Sequence, residues 1–142
     1  MKQYTTSHLV KSEDLNHHDT LFAGRTAEWF VEAAFISAAT AVGSPENVVC
    51  VNIHGLQFRY PIEKGEIATF NSRVAYVGKT SLIVYCKIYS EMTLHDSPVD
   101  GFLTFVCVDL AGNKIPHNLV LDETCDPEEL EIRQKALMLL KK

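Results

Sequence analysis

The sequence predicts an α+β domain in which a curved antiparallel sheet wraps one long central helix, with an extra helix at the C-terminus. Three observations predict it. A helical apolar pattern runs over residues 24–41, four long β-type segments follow one another between residues 48 and 110, and a capped helix start stands at Asp126. At 142 residues the chain is expected to be a single domain, with its core at about 4–112 and the C-terminal helix at about 126–142.

Residues 4–10 read as a short first strand, followed by a polar loop over 11–21 in which Asp19 or Thr20 can cap the helix before Gly24. The helix should be roughly 17 residues long, or ~26 Å, and Gly43, Ser44 and Pro45 end it. Past its first turn it is apolar on almost every side, from Ala27, Trp29, Phe30 and Val31 to Phe35 and Ile36. A helix of that kind is expected to be buried. It nevertheless carries Glu28 and Glu32, spaced i to i+4 and stacked on one side. Ionised carboxylates in an apolar setting need a wet edge, a donor or a chemical task.

The period then changes to that of strands over 48–56, 66–77, 80–94 and 99–110, rich in β-branched and aromatic residues and separated by turns at 61–65, 78–79 and 96–98. As consecutive long strands they should pair antiparallel. After Pro116 comes a polar connector. Asp126-Pro127-Glu128-Glu129 then combines a cap, a proline in the first turn and acids near the positive helix end. Lys135, Lys141 and Lys142 are expected to complement the other end.

A net charge of -5 argues against a nucleic-acid or membrane-surface partner. No apolar run approaches the ~20 residues that span a bilayer, and the first ten residues lack the features of a secretory signal, so a cytoplasmic protein is expected. Cys50, Cys86, Cys107 and Cys125 form no CxxC pair and are read as reduced packing residues. No His, Cys, Asp or Glu spacing suggests a metal site.

Three motifs, in order, carry a resemblance. They are NHHDTLFAGRTAEWFVEAA from Asn16, then Gln57-Phe58-Arg59-Tyr60-Pro61 leading to Gly65-Glu66, then Val77-Gly78-Lys79-Thr80-Ser81-Leu82. They resemble the successive landmarks N-H-x-G-x-x-F-G-G, F-x-x-P-x-x-x-G-D and V-G-x-T-S of the hot-dog-fold acyl-CoA thioesterases, over about residues 7–110. The resemblance implies a hot-dog fold with the helix as the sausage, and dimers that often associate into tetramers or hexamers. The chain departs from the pattern at Asp19 and Ala23, where glycines are usual. Val31 stands where many members have their catalytic acid, with Glu32 next to it.

Thioester hydrolysis needs an activated water or nucleophile, donors for the developing oxyanion and a grip on the carrier. The helix start around Ala23, Gly24 and Arg25 offers unpaired amides and a positive dipole end, and Gly24 permits close approach of a carbonyl. Gly24 can equally mark a tight turn. Glu32 is the candidate general base, with its proton affinity raised by apolar surroundings, and Glu28 is the reserve; pairing with Arg59, Arg73 or a partner's cation is the alternative for Glu32. Asn16 can hold the attacking water, and the resemblance implies that it meets the acid across a dimer interface; local turn capping is its alternative.

His17 and His18, adjacent in a loop, should point opposite ways, so that one can assist proton transfer. His54 reads as a satisfied core or interface histidine, while His8, His95 and His117 look incidental. Lys79, Thr80 and Ser81 form a turn suited to the phosphates of CoA, or simply a solvated turn. Trp29, Phe30 and Phe35 are candidates to line an acyl tunnel, or are core. No separate cofactor is expected, since CoA is part of the substrate. Two other functions compete. One is a non-catalytic acyl-thioester binding or regulatory protein. The other is a hydratase or dehydratase, whose H-x-x-x-x-P-G or D-x-N-P-x-H signatures are missing.

Overall fold

The computed structural model describes residues 1–90 and 99–141. The end of the expected fourth strand at 91–94, His95, the turn at 96–98 and Lys142 lie outside the described residues. Five strands, β1 (Tyr4–Leu9), β2 (Val48–His54), β3 (Ile67–Val77), β4 (Ser81–Ser90) and β5 (Val99–Cys107), form an antiparallel sheet of order β1-β3-β4-β5-β2. Helix α1 (Ala23–Val42) packs on one face and α2 (Pro127–Leu139) on the other, in the hot-dog arrangement. The expected consecutive pairing holds for β3, β4 and β5. It fails for β2, which pairs with β5 at the edge while β1 takes the place beside β3. The crossover over 55–66 makes this arrangement: it carries the chain from β2 at one edge of the sheet to β3, next to the opposite edge.

The α1 face against the sheet is a stripe with helical spacing, Thr26, Trp29, Phe30, Ala33, Ala34, Ser37 and Ala38, all buried. Phe30, Phe70 and Phe105 are fully enclosed, and burying each such side chain contributes about 1.5–3 kcal/mol. The small residues let the helix lie close to β3. There Ser72 donates from its hydroxyl to the carbonyl of Ala33 at 2.8 Å, so the 2.6 Å contact between Ser37 and Ser72 leaves Ser37 as the donor. A polar tie of this kind, satisfied on both sides, fixes the helix along the sheet axis.

Helix α2 starts as expected, with the Asp126 carboxylate accepting from the amide of Glu128 at 3.1 Å. Ile132 and Ala136 pack on Ala75, Ile83 and Tyr85. Beside them the buried Arg73 donates to Glu129 at 2.7 Å, and Arg133 reaches Glu129 at 3.2 Å and Asp122 at 2.8 Å. Burial and the hydrogen bond donated to Asp100 push the Tyr85 hydroxyl well above its ordinary range. The expected basic end does not form: the helix stops at Leu139, its last turn holds no cation, and Lys135 instead pairs with Glu131 at 3.2 Å. All four cysteines are free, but only Cys86 and Cys107 are buried; Cys50 and Cys125 are exposed and do not serve as packing residues.

Gly101 on β5 is where the helix, the sheet and the crossover meet. A Cβ there would lie 2.8 Å from the carbonyl oxygen of Gly55 and 3.2 Å from Cζ of Phe30. Gly101→Ala is therefore expected to cost about 1–3 kcal/mol, read as a fall in the urea midpoint with an unchanged slope. A midpoint equal to that of the wild type would mean the crossover can yield.

Candidate active site at the amino end of the central helix

The loop before α1 is held by its own polar groups. The side-chain carbonyl of Asn16 accepts from the amides of His18 at 2.8 Å and Thr20 at 3.2 Å, and its NH2 reaches Thr20 Oγ1 at 3.0 Å. Asn16 thus caps its own turn while also lining the cavity described below. Asp19 sits at φ 62°, a left-handed conformation. This accounts for an aspartate at a position where glycine is usual, since Asp is among the few residues with a side chain that tolerate it. Neither Asp19 nor Thr20 caps the helix: the cap position is Phe22, with no side-chain hydrogen bond. The helix start is secured from outside instead. Buried Asp14 accepts from the amide of Lys11 at 2.9 Å and pairs with Arg25 at 3.3 Å, and its carbonyl accepts from the amide of Phe22 at 2.9 Å.

Without a cap, the first amides of α1 stay open. Those of Arg25 and Thr26 reach the carbonyl of Phe22 at 3.0 Å, whereas those of Ala23 and Gly24 have no acceptor among the described residues. Gly24 lies inside the first helical turn and is not a loop turn. Its surface is covered by the half-exposed ring of Phe22, whose Cε2 would stand 2.5 Å from an added Cβ.

A cavity of about 340 Å³ opens beside this helix end, within the size range of small-molecule sites. Leu21, Ile62, Ile88 and Val99 give it apolar walls. Glu66 lies on its lining and accepts from the hydroxyl of Ser90 at 2.8 Å. Arg59 and Tyr60 also line it. The sequence marked the segment holding Arg59, Tyr60 and Glu66 as a landmark and weighed Arg59 only as a partner for Glu32, whereas Arg59 lies on the cavity lining and forms no ion pair with Glu32 among the described residues; the signal was a charged and aromatic cluster around Pro61. Trp29, Phe30 and Phe35 do not line the cavity; Trp29 and Phe30 belong to the buried core and Phe35 packs against it.

The carboxylates are not where a buried helix would put them. Glu28 and Glu32 are exposed, and Glu28 pairs with Arg25 at 3.6 Å. From Thr26, which faces the cavity, they lie about 200° and 240° round the helix, so neither opens into the cavity of its own chain. The reason is that the sheet covers only one face of α1. Arg73, weighed as a partner for Glu32, is engaged by Glu128 and Glu129.

His17 and His18 do not diverge. They sit in a turn with ring centroids 4.0 Å apart, both exposed. His54 is paired, with Nε2 at 2.6 Å from Thr104 Oγ1. His8 is not incidental: its ring stacks on Trp29 at 4.2 Å. Nor is His117, which is bonded on both ring nitrogens. The turn of Lys79, Thr80 and Ser81 lies at the far end of β3 from the cavity, roughly 35 Å away by strand length, so one chain does not bring the two together. Among the described residues no three His, Cys, Asp or Glu side chains converge on a metal position, and no described helix is long and apolar enough to cross a membrane.

The family model of the thioesterase superfamily matches residues 18–94. This chain belongs to that superfamily. Among curated proteins it is 30% identical over 127 residues to YkhA of Bacillus subtilis, an uncharacterized acyl-CoA thioester hydrolase, covering 87% of this chain and 72% of that one. Among solved structures, an acyl-CoA hydrolase of Staphylococcus aureus bound to butyryl coenzyme A, coenzyme A and coenzyme A disulfide superposes with a TM-score of 0.85 at 27% identity, covering 98% of this chain and 84% of that one. A hexameric acyl-CoA thioesterase without ligand gives a TM-score of 0.85 at 27% identity, covering 98% and 88%.

In this thioesterase-superfamily chain, the loop that carries Asn16 depends on the left-handed residue at 19. Asp19→Gly is expected to leave stability within about 0.5 kcal/mol, while Asp19→Val, branched at Cβ, should cost about 1–2 kcal/mol. Denaturant midpoints of the two variants check this, and equal midpoints would show that the loop relaxes out of that conformation.

Proposed function

We propose that this chain is an acyl-CoA thioesterase that hydrolyses acyl-CoA to the free acid and CoA and works as a homo-oligomer, at least a dimer. The observation that carries the reading is the apolar cavity of about 340 Å³ lined at the start of α1 by Ala23, whose amide, like that of the neighbouring Gly24, has no acceptor among the described residues. A thioester carbonyl seated there would develop its charge against the amides of Ala23 and Gly24 and the positive end of a 20-residue helix. The acyl group would enter the cavity. Relatives named as acyl-CoA hydrolases, one of them solved with butyryl coenzyme A, support the substrate class. A cytoplasmic setting fits the four free cysteines.

The oligomer supplies what one chain lacks. Among the described residues strand β2 has an unpaired edge, its Val49, Val51 and Ile53 are exposed, and it packs beside α1. An apolar edge strand is a pairing surface. A second copy added there by a two-fold axis would set its helix antiparallel to α1, against the half-buried Val31 and Phe35 and the outward Glu28 and Glu32. In that arrangement Glu32 of one copy would face the Asn16 loop of the other, and the turn of Lys79, Thr80 and Ser81 would approach the other copy's helix start to hold the phosphates of CoA. The hexameric relative supports such an assembly. Glu32 would take the proton of a water held near Asn16 as the water oxygen bonds to the carbonyl carbon. Collapse of the oxyanion would then break the C–S bond, and the proton would pass to the departing thiolate. Glu28, held by Arg25, is the reserve base.

Val31 at the position usual for the acid, with both glutamates turned from their own cavity, favours a second reading: an acyl-thioester binding protein without catalysis. Thiol release from a panel of acyl-CoAs separates the two. Turnover by the wild type should fall about 100-fold or more in Glu32→Gln. An unchanged rate rejects Glu32 as the base, and CoA binding without thiol release from any substrate selects the binding protein.

Gly24→Ala tests the helix start separately. The methyl displaces the half-exposed ring of Phe22 and disturbs the helix start beside Ala23, so turnover should fall about tenfold or more while the thermal midpoint holds. Full activity in this variant would remove Gly24 from the site.

A further inference from the structure

Resting on the reading of the 79–81 turn as the seat of the CoA phosphates, we propose that His117 is a positioning residue that holds this turn in its anion-accepting form. The turn's carbonyls are all drawn inward. That of Lys79 accepts from the amide of His117 at 3.3 Å, that of Thr80 from the amide of Cys107 at 2.8 Å, and that of Ser81 from the amide of Gly78 at 2.8 Å. The His117 ring adds a further bond, with Nε2 at 2.9 Å from the carbonyl of Ser81, while Nδ1 accepts from the amide of Leu119 at 3.0 Å. A carbonyl has no proton to give and an amide accepts nothing, so the two contacts fix one neutral tautomer, protonated on Nε2.

The backbone after the ring is shaped for this contact. Asn118 is left-handed at φ 58°, which reverses the chain at once and returns the Leu119 amide to Nδ1. The amide of Ile115 donates to the carbonyl of Cys107 at 2.9 Å and anchors the segment from before the histidine. Residues 115–119 therefore lie as a strap across the β3–β4 turn, with the His117 ring as its cross-link. With the carbonyls engaged, the amides of Lys79 and Thr80 have no acceptor among the described residues. Together with the Lys79 ammonium and the Thr80 hydroxyl they make a small concave set of donors, the arrangement that suits a phosphate. Loss of the Nε2 bond leaves the Ser81 carbonyl held by the Gly78 amide alone and loosens the strap over the turn, so His117 acts on carrier affinity through the turn and touches neither the acyl group nor the reacting atoms.

The test compares KM for an acyl-CoA with KM for the same acyl group on pantetheine, which lacks the nucleotide phosphates. In His117→Asn the shorter side chain keeps the acceptor for Leu119 but cannot reach Ser81; in His117→Gln the donor to Ser81 is kept. His117→Asn should raise KM for the CoA ester about fivefold, the worth of one such hydrogen bond, with kcat and the pantetheine KM unchanged, and His117→Gln should restore the wild-type ratio. Equal KM values of the wild type for the two substrates, or a ratio unmoved by Lys79→Ala, overturn the CoA reading of the turn and the role of His117 with it. A ratio that responds to Lys79→Ala but not to a folded His117→Asn overturns the role of His117 alone. Should His117→Asn fail to fold, the ¹⁵N resonances of the His117 ring in the wild type decide: they shift on adding CoA if the ring senses the turn, and no shift overturns the proposal.

Discussion

The central constraint is that a helix apolar almost all round is given only one covered face by its own chain. The sheet accepts the stripe from Thr26 to Ala38, close enough for Ser72 to bond the helix backbone at Ala33. The opposite face keeps Val31, Phe35 and two glutamates. Burying apolar side chains on one side and leaving others half-covered is stable only because the core alone supplies enough burial. The uncovered face is then available for a second copy.

The same constraint shapes the site. Sheet order places β2 at an edge, where Val49 and Val51 are exposed, and β2 packs beside α1. The cavity forms on the covered side, where the amino-end loop, the crossover and the ends of β3, β4 and β5 meet. Two kinds of chemistry are thereby separated within one chain: donors and apolar walls on one side of the helix, acids on the other. The turn at 79–81 stands a further strand length away.

Much of this was legible in the residues. The three motifs located the helix start, the crossover landmark and the β3–β4 turn, and the strand periods located all four strands after α1. Asn16 and Ala23 do line the cavity. The reading failed where the answer depended on what lies across space. An i, i+4 pair of acids on an apolar helix asks for a wet edge, a donor or a task, and which of these it meets depends on the face the sheet covers, which is not a local property. An extended backbone would point His17 and His18 opposite ways, whereas a turn brings their rings side by side. His8 and His117 carried no local signal, since their partners Trp29 and Ser81 are distant in the chain.

The sequence by itself determined the elements, the end of α1 and the start of α2, because helix and strand periods, glycine at 43 and the Asp126-Pro127 start act within a few residues, whereas the start of α1 is secured by Asp14 and not by the cap the sequence suggested. It also carried the superfamily, through motifs whose spacing is fixed along the chain. Tertiary structure alone decided the strand order, that both glutamates are uncovered, that Ala23 lines a cavity while Gly24 lies under the Phe22 ring and off its lining, and which carbonyls His117 holds. Those depend on packing between segments far apart in the chain, where the geometry of contact, and not the order of residues, sets the outcome.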